Sequence, residues 1–306
     1  MSYGAGEYTY ELVDKWPKLP QGWAFLDAAG VVVDSTDNVY VLNRGGHPVI
    51  VFNRDGNLIN SWGEGYFNRA HGATFGRDGS VWCADDGSHT ITRFTPEGKS
   101  LQVLGTRDQP SDTGYVQKQG IPSIKQGGPP FNRPTGVALS PAGEIYVSDG
   151  YGNARIHKFS PEGELLLSWG GPGAGPGQFR LVHSVWLDME QRVWVCDREN
   201  NRIQIFDTHG KYLNQWTDLL RPTEIFIDTE ETVYVSELSQ RVSIFSNDGK
   251  LLARWGNPEK DPWKALFVAP HTISVDSQGD IYIGEVAMAI GKIDRGARVV
   301  QKFRRT

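Results

Sequence analysis

Short runs of alternating apolar and polar residues recur along the chain, and Gly, Asp or Asn turns separate them. This period-two pattern predicts β-strands, because successive side chains of a strand point to opposite faces of its sheet. Four such runs follow one another in each of six copies of a repeat that extends from about Ala24 to Phe303. We find no convincing amphipathic helix. The pattern therefore predicts an all-β protein made of four-stranded antiparallel units.

Six consecutive four-stranded repeats are typical of a six-bladed β-propeller, in which the sheets close around one axis and leave few edges exposed. We expect a single domain over residues 1–306, with an insertion loop at 106–131. The predicted blades cover about 24–63, 68–105, 132–170, 180–216, 221–256 and 268–304. Two segments resemble the strand that would complete the last blade, Tyr8 to Trp16 and Arg298 to Phe303, and the sequence does not choose between them.

One position of the repeat, at the start of each first strand, shows a second regularity. In chain order it holds Ala29, His71, Thr135, His183, Thr223 and His271. Histidine occupies every second copy, and alternate blades of a six-bladed propeller lie about 120° apart, so the three imidazoles should converge. Three imidazoles without a fourth protein ligand are typical of catalytic zinc, although Fe, Mn and Co accept the same donors. The spacing predicts a metal site, with zinc favoured.

The corner between the second and third strands of a blade opens on the same face as the start of the first strand. Arg44, Tyr151 and Arg198 lie in such corners and fall outside the recurring turn pattern. We therefore expect these three side chains to face the histidines. Three aspartates recur at the ends of second strands and are predicted to brace turns: Asp85, Asp149 and Asp197.

Further candidate substrate contacts lie close to this face. His47 follows the Arg44 corner, and Trp263 precedes His271. Tyr115 and Ile121 belong to the insertion loop, whose length predicts a functional or covering role over the site.

Composition narrows the class of protein. The formal net charge is −5 and the basic residues are scattered, which argues against a nucleic-acid surface. There is neither a run of eighteen apolar residues nor a recognisable leader, so we expect no membrane partner. Cys83 and Cys196 lie in the second strands of non-adjacent blades, which predicts buried free thiols and a cytoplasmic location. We expect a monomer.

The repeat resembles the NHL repeat, and several longer stretches look like the peptidyl-α-hydroxyglycine α-amidating lyase family. The similarity extends over all six blades. The most specific stretches are Ser148-Asp-Gly-Tyr-Gly-Asn-Ala-Arg-Ile156, Phe159-Ser-Pro-Glu-Gly163, Gly175-Pro-Gly-Gln-Phe179 and Asp197-Arg-Glu-Asn-Asn-Arg-Ile-Gln204. Arg44-Gly45, His71-Gly72, His183-Ser184 and Pro270-His271 fit the same pattern.

The resemblance implies a zinc lyase that cleaves the C–N bond of a carbinolamide, R-CO-NH-CH(OH)-COOH, and releases an amide and glyoxylate. By position, His71, His183 and His271 would bind Zn²⁺. Tyr151 would act as the base toward the substrate hydroxyl, and the guanidinium groups of Arg44 and Arg198 would lie beside the reacting centre, where they suit a carboxylate. The substrate would be a small-molecule or peptide-derived N-acyl-α-hydroxyglycine.

Two departures from the family pattern limit this interpretation. The family also binds a structural Ca²⁺ through carbonyls at the positions of Val31 and Ala73 and through an aspartate after the third histidine. That aspartate is Thr272 here, which argues against calcium, although Glu224 in the first strand of the fifth blade offers an alternative carboxylate. Gly152 stands where secreted animal members have a cysteine, which fits a reducing compartment. We therefore expect the reaction type to transfer, but not the peptide substrate.

Two other functions remain open from the sequence. A lactonase-like propeller hydrolase would use metal-bound water, but such sites generally use carboxylate and asparagine ligands. A non-catalytic NHL scaffold would bind protein or RNA, but it has no need of three matched histidines.

Overall fold

The computed structural model describes every residue from Met1 to Thr306. The chain forms a six-bladed β-propeller with four antiparallel strands in each repeat, as the alternating pattern predicted. Its contacts divide it into two compact units, which we describe in turn. The first unit contains Met1–Tyr66 and Phe226–Thr306, and the second contains Phe67–Ile225.

The first unit begins with two strands that precede the first blade. These are β1 (Ser2–Ala5) and β2 (Tyr8–Leu12). The first blade follows as β3 (Ala28–Val33), β4 (Val39–Asn43), β5 (Val49–Phe52) and β6 (Leu58–Trp62).

The second unit contains three complete blades and the insertion. The second blade is β7 (Ala70–Phe75), β8 (Val81–Asp85), β9 (Thr90–Phe94) and β10 (Ser100–Leu104). The third is β11 (Pro134–Leu139), β12 (Ile145–Asp149), β13 (Arg155–Phe159) and β14 (Leu165–Trp169). The fourth is β15 (Val182–Leu187), β16 (Val193–Asp197), β17 (Arg202–Phe206) and β18 (Tyr212–Trp216). The insertion contains a 3-10 turn, Ile121–Ser123, and a second such turn, Arg198–Asn200, follows β16.

The remaining strands make the last two blades. The fifth blade is β19 (Pro222–Ile227), β20 (Val233–Glu237), β21 (Arg241–Phe245) and β22 (Leu251–Trp255). The sixth contains β23 (Pro270–Val275), β24 (Ile281–Glu285) and β25 (Val300–Arg305). Between β24 and β25 lie α1 (Ala287–Gly291), a five-residue helix that the sequence did not predict, and a 3-10 turn, Gly296–Val299. None of the helices has the length and apolar character to span a bilayer.

The two ends of the chain complete the sixth blade together, where the sequence led us to expect only one of them. The strand order is β1-β2-β25-β24-β23, so β25 is the third strand, the N-terminal β2 is the fourth, and β1 adds a fifth strand at the outer edge of this sheet. Leu12 pairs with Phe303 and Tyr10 with Arg305. Tyr10 is completely buried, and its ring lies 5.3 Å from that of Trp255. Burial of this aromatic ring favours the N-terminal strand in the fourth place.

The core runs through the second strand of every blade. All five residues of β4, β8, β12, β16, β20 and β24 are buried, whereas the outer β6, β10, β14, β18 and β22 are partly exposed. This gradient explains the sequence pattern, because a strand covered on both faces is apolar at nearly every position. Each second strand ends in a buried polar residue, which holds the corner that follows.

Candidate functional site

The residues that precede the first strands of the second unit are held by carboxylates at the ends of the second strands. Asp85 accepts a hydrogen bond of 2.8 Å from the backbone N–H of Arg69. Asp149 accepts one of 2.9 Å from Asn132. Asp197 binds the corresponding backbone of the fourth blade. The predicted turn-bracing role of the three aspartates is confirmed, and it fixes where each first strand begins.

Two of the three matched histidines belong to the second unit, where both are almost completely buried. His71 Nδ1 lies 2.5 Å from the carbonyl oxygen of Thr135, and His183 Nδ1 lies 2.7 Å from that of Thr223. A carbonyl only accepts, so each Nδ1 carries the hydrogen of its contact. In the neutral ring this tautomer leaves the lone pair on Nε2, and neutral histidine is the form that binds a metal.

His271, in the first unit, repeats this arrangement. It is also buried, and its Nδ1 donates to the carbonyl oxygen of Ala29 at 2.9 Å. In all three cases the acceptor is the residue at the same register position of the following blade, and the sixth blade is followed by the first. The register therefore predicts both the histidine and the carbonyl that orients it.

Tyr151 lies against the two histidines of the second unit. Its hydroxyl oxygen is 3.1 Å from Nε2 of His71 and 3.1 Å from Nε2 of His183. The structure thus brings together three residues that the sequence assigned to one site. Two imidazole nitrogens suited to a divalent metal ion thus lie beside a phenolic oxygen that can exchange a proton.

Two glycines press the Tyr151 corner against its neighbours. A Cβ at Gly150 would lie 1.9 Å from the carbonyl oxygen of Val182, the residue before His183. A Cβ at Gly152 would lie 2.1 Å from the side-chain oxygen of Asn132. Only glycine allows this approach, and the approach places the Tyr151 hydroxyl beside His183.

Three guanidinium groups surround the Tyr151 ring. The central carbons of Arg69, Arg133 and Arg198 lie 5.6, 5.6 and 5.7 Å from its centroid. Arg198 Nη1 also donates to the Tyr151 hydroxyl, at 3.5 Å. Asp86 pairs with Arg69 and Arg133, and Glu199 pairs with Arg198. Three cations against two anions leave a net positive charge beside the hydroxyl, which stabilises negative charge that develops there.

Sequence reasoning assigned Arg198 to the site but missed Arg69 and Arg133. A signal was available, because arginine occurs two positions before the register residue in the second, third and fifth copies, at Arg69, Arg133 and Arg221. Burial of the Arg133 side chain opposes its charge, yet the Asp86 carboxylate keeps the pKa of Arg133 above its ordinary value. Arg133 therefore stays charged next to Tyr151.

The insertion loop reaches the site through Tyr115. The Tyr115 hydroxyl accepts a hydrogen bond of 3.1 Å from Arg133 Nη1, so the predicted contact acts through that arginine. The loop is also anchored to the Tyr151 corner, because the Thr113 hydroxyl donates a hydrogen bond to the carbonyl oxygen of Gly152. Ile121, the second predicted contact of the loop, lines a cavity in the same unit.

The other candidates lie in the first unit. Arg44 is half-buried, and its backbone N–H donates to the carbonyl oxygen of Asp27. His47 stacks on Trp23 with a ring separation of 3.5 Å, and its Nδ1 lies 3.0 Å from Glu64. These partners hold the His47 ring in place. Trp263 is 66% exposed.

The residues that correspond to the family's calcium position have different partners here. The Thr272 hydroxyl accepts a hydrogen bond of 2.9 Å from the backbone N–H of Val31 and lies 3.4 Å from the Val31 carbonyl oxygen. Ala73 is buried within β7. The neutral hydroxyl of Thr272 thus contacts Val31 at the position where the family pattern has an aspartate carboxylate.

Both cysteines are buried and free, as predicted. Burial raises the pKa of the Cys83 thiol above its ordinary value, so the thiol stays protonated. A protonated buried thiol is a poor nucleophile and metal ligand, so we assign Cys83 to the core.

Comparison with known proteins supports the interpretation of the repeat as an NHL repeat. A model of the NHL repeat matches residues 131–159. The human protein named NHL repeat-containing protein 3 is 30% identical, and the match covers 99% of this chain and 86% of that protein. Peptidyl-alpha-hydroxyglycine alpha-amidating lyase 1 of Drosophila melanogaster is 32% identical over 56% of this chain and 31% of its own length.

The fold is also found among solved structures. A Xanthomonas campestris protein described as a gluconolactonase superposes with a TM-score of 0.65 at 13% identity, over 92% of this chain and 86% of that one. At this identity the likeness concerns the fold alone. The relatives and the repeat model together place the chain in the NHL-repeat β-propeller family that includes NHL repeat-containing protein 3, with the amidating lyases among its homologues.

Proposed function

We propose that the protein is a metal-dependent lyase that cleaves the C–N bond of an N-acyl-α-hydroxyglycine to give an amide and glyoxylate. The observation that supports this most is the position of the Tyr151 hydroxyl, 3.1 Å from the Nε2 atoms of two oriented histidines and beside Arg198. A base, metal-binding nitrogens and a cation are the groups that this reaction requires.

His71, His183 and His271 would each contribute one ring nitrogen to a single metal ion. Their Nδ1 atoms bind backbone carbonyls, which leaves Nε2 as the ligand in every case. An all-imidazole set favours zinc, and Fe, Mn and Co remain alternatives. The ion would supply Lewis acidity toward the oxygen atoms of the substrate. We propose no calcium requirement, because Thr272 rather than a carboxylate meets Val31.

Tyr151 takes the proton from the substrate α-hydroxyl in this proposal. Loss of that proton lets the hydroxyl oxygen form the C=O bond of glyoxylate while the C–N bond breaks, and the departing amide nitrogen gains a proton. Arg69, Arg133 and Arg198 stabilise the negative charge that the tyrosine oxygen carries. Arg198 and Arg44 remain the candidates for the substrate carboxylate, because guanidinium groups bind carboxylates in a two-pronged geometry.

A lactonase-like hydrolase is the second candidate, because a gluconolactonase shares the fold. Its usual carboxylate ligands have no counterpart near Tyr151, where Asp86 and Glu199 are engaged by arginines. A non-catalytic NHL scaffold, the third candidate, gives no reason for the repeated orientation of three buried histidines. The donor set therefore favours the lyase.

Incubation of the zinc-loaded protein with α-hydroxyhippurate tests the proposal. We expect benzamide and glyoxylate in equal amounts, and Tyr3→Phe should behave as the wild type because Tyr3 packs against Phe303 in the outermost strand of the sixth sheet. Hydrolysis of a lactone such as gluconolactone, without release of glyoxylate, would support the hydrolase instead.

A further inference from the structure

A cavity of about 830 Å³ lies in the second unit, and its lining includes Glu199, the ion-pair partner of Arg198. The insertion loop supplies Ile121 and Ile124, the corner between β12 and β13 supplies Ala154, and the segment before β15 supplies Phe179. We propose that this cavity binds the acyl group R of the substrate R-CO-NH-CH(OH)-COOH and selects a large, uncharged apolar group. This inference rests on the proposed lyase function and extends it to the class of substrate.

The cavity adjoins the proposed reacting centre through two side chains. Glu199 lines the cavity, and its carboxylate accepts a hydrogen bond of 2.8 Å from Arg198 Nε. Arg198 in turn donates to the Tyr151 hydroxyl. If Arg198 binds the carboxylate end of the substrate beside Tyr151, the acyl end can extend over Glu199 into the cavity.

The walls of the cavity favour an apolar occupant. Ile124, Ala154 and Phe179 are buried and belong to one hydrophobic cluster, against which Ile121 packs. An apolar group that enters would leave water for this surface, and each methylene it buries strengthens binding by about fourfold.

The charges at the edge exclude a cationic group. Glu199 accepts from Arg198 and, at 2.7 Å, from Arg221, and these two arginines hold the pKa of Glu199 below its ordinary value against the effect of burial. Arg180 lines the cavity, is exposed and forms no ion pair. Three arginines against one glutamate leave the edge positive, so an amine at the end of R should be repelled.

The volume of the cavity also limits which acyl groups R it can hold. Cavities of about 300 to 1,000 Å³ are typical of sites that enclose drug-sized ligands. The hydroxyglycine portion of the substrate lies at Tyr151, so the cavity is available for R. An aromatic or branched acyl group fits this space, whereas an acetyl group would leave most of it unfilled.

A series of acyl groups tests the proposal in two ways. The kcat/KM for N-acetyl-, N-benzoyl- and N-naphthoyl-α-hydroxyglycine should rise along the series by at least tenfold overall. The Kd of the matching N-acylglycines, which lack the reactive hydroxyl, should fall in the same order in calorimetry. A benzoyl group that carries an aminomethyl substituent should bind about tenfold more weakly than benzoyl.

Ile121→Trp provides the decisive variant, because it fills the cavity from its partly exposed wall. We expect binding and turnover of the naphthoyl compounds to fall about tenfold and those of the acetyl compounds to stay unchanged. Val116→Trp is the matched control, since Val116 belongs to the same loop, is 45% exposed and does not line the cavity. Ile121→Ala serves if the larger residue prevents folding, with a smaller loss confined to the large acyl groups.

The outcomes separate this proposal from the lyase function. Size-dependent binding of the N-acylglycines that Ile121→Trp abolishes, without release of glyoxylate from any substrate, would support the cavity and overturn the lyase. Release of glyoxylate that is independent of the acyl group, with equal behaviour of Ile121→Trp and Val116→Trp, would overturn the assignment of the cavity.

Discussion

The hydroxyl oxygen of Tyr151 lies 3.1 Å from Nε2 of His183, although the two residues belong to different blades. The contact depends on the backbone, because Gly150 lies against the carbonyl oxygen of Val182, directly before His183. A corner of the third blade and the first strand of the fourth are therefore fixed as one piece. Because of this contact, we expect a substitution to disturb the site even when the replaced residue does not contact the substrate.

Replacement of Tyr151 by phenylalanine removes the hydroxyl and keeps the ring. We expect turnover of α-hydroxyhippurate to fall by about 10² to 10⁴-fold, the usual contribution of a positioned acid or base. Metal content should stay at the wild-type value, because the three histidines are unchanged. Near-wild-type turnover in this variant would remove Tyr151 from the mechanism.

Arg133→Met should lower turnover without a loss of folding. The variant removes a cation that lies 5.6 Å from the Tyr151 ring centroid, a hydrogen bond to Tyr115 and an ion pair with Asp86, which keeps Arg69 as its partner. A cation over an aromatic ring contributes about 0.5 to 2 kcal/mol, which corresponds to a fall of roughly 2- to 30-fold. Tyr115→Phe keeps the cation and should show a smaller effect in kcat measurements. Equal effects of the two variants would assign the role to the hydrogen bond instead.

Gly150→Ala should disturb both stability and activity. Its Cβ would lie 1.9 Å from the carbonyl oxygen of Val182, so the Tyr151 corner must move. We expect a loss of about 1 to 3 kcal/mol in the free energy of unfolding, measured in urea, together with lower turnover. Gly171→Ala is the control, because a Cβ there meets nothing within 4 Å. Similar unfolding curves for the two variants would contradict the packing argument.

Acid should weaken the segment that holds Arg133. His89 Nδ1 accepts a hydrogen bond of 3.0 Å from the backbone N–H of Arg133, and burial lowers the pKa of His89. The unfolded chain therefore binds a proton more readily, so stability present above the unfolded pKa of about 6.5 is lost as the pH falls toward the folded pKa.

Comparison with His89→Asn isolates this contribution. Asparagine can accept the same hydrogen bond and tolerates the left-handed backbone, with φ of 62°, that residue 89 adopts. The wild type should lose more unfolding free energy than the variant between pH 8 and pH 5.5 in urea titrations. Equal losses would show that His89 does not contribute to the pH dependence.

The sequence predicted the blades well because the signals were local. Strand alternation and recurring Asp turns, such as that at Asp149, need only neighbouring residues to be recognised. The closure of the sixth blade could not be predicted in the same way. Tyr10 and Phe303 are nearly three hundred positions apart, and the choice of Tyr10 for the fourth strand depends on its packing against Trp255.

The residues of the site also divide into those with a local sequence signal, which were predicted, and those brought in by the fold, which were not. The repeat register identified His71, the strand corner identified Tyr151, and the family pattern gave Tyr151 its role as base. Arg69 and Arg133 were not predicted, because an arginine before a strand usually lies in solvent at the protein surface. Their position over Tyr151 depends on the bend of the Gly150 corner. The cavity lined by Ile121 could not be predicted from the sequence either, because it depends on how the insertion loop folds back.

The metal content of the purified, zinc-loaded protein tests the central claim most directly. Mass spectrometry of metal per chain, after removal of loosely bound ions, should give about one zinc for the wild type and a strong reduction for each of His71→Ala, His183→Ala and His271→Ala. A metal-free wild type, or zinc retained in all three variants, would contradict the account.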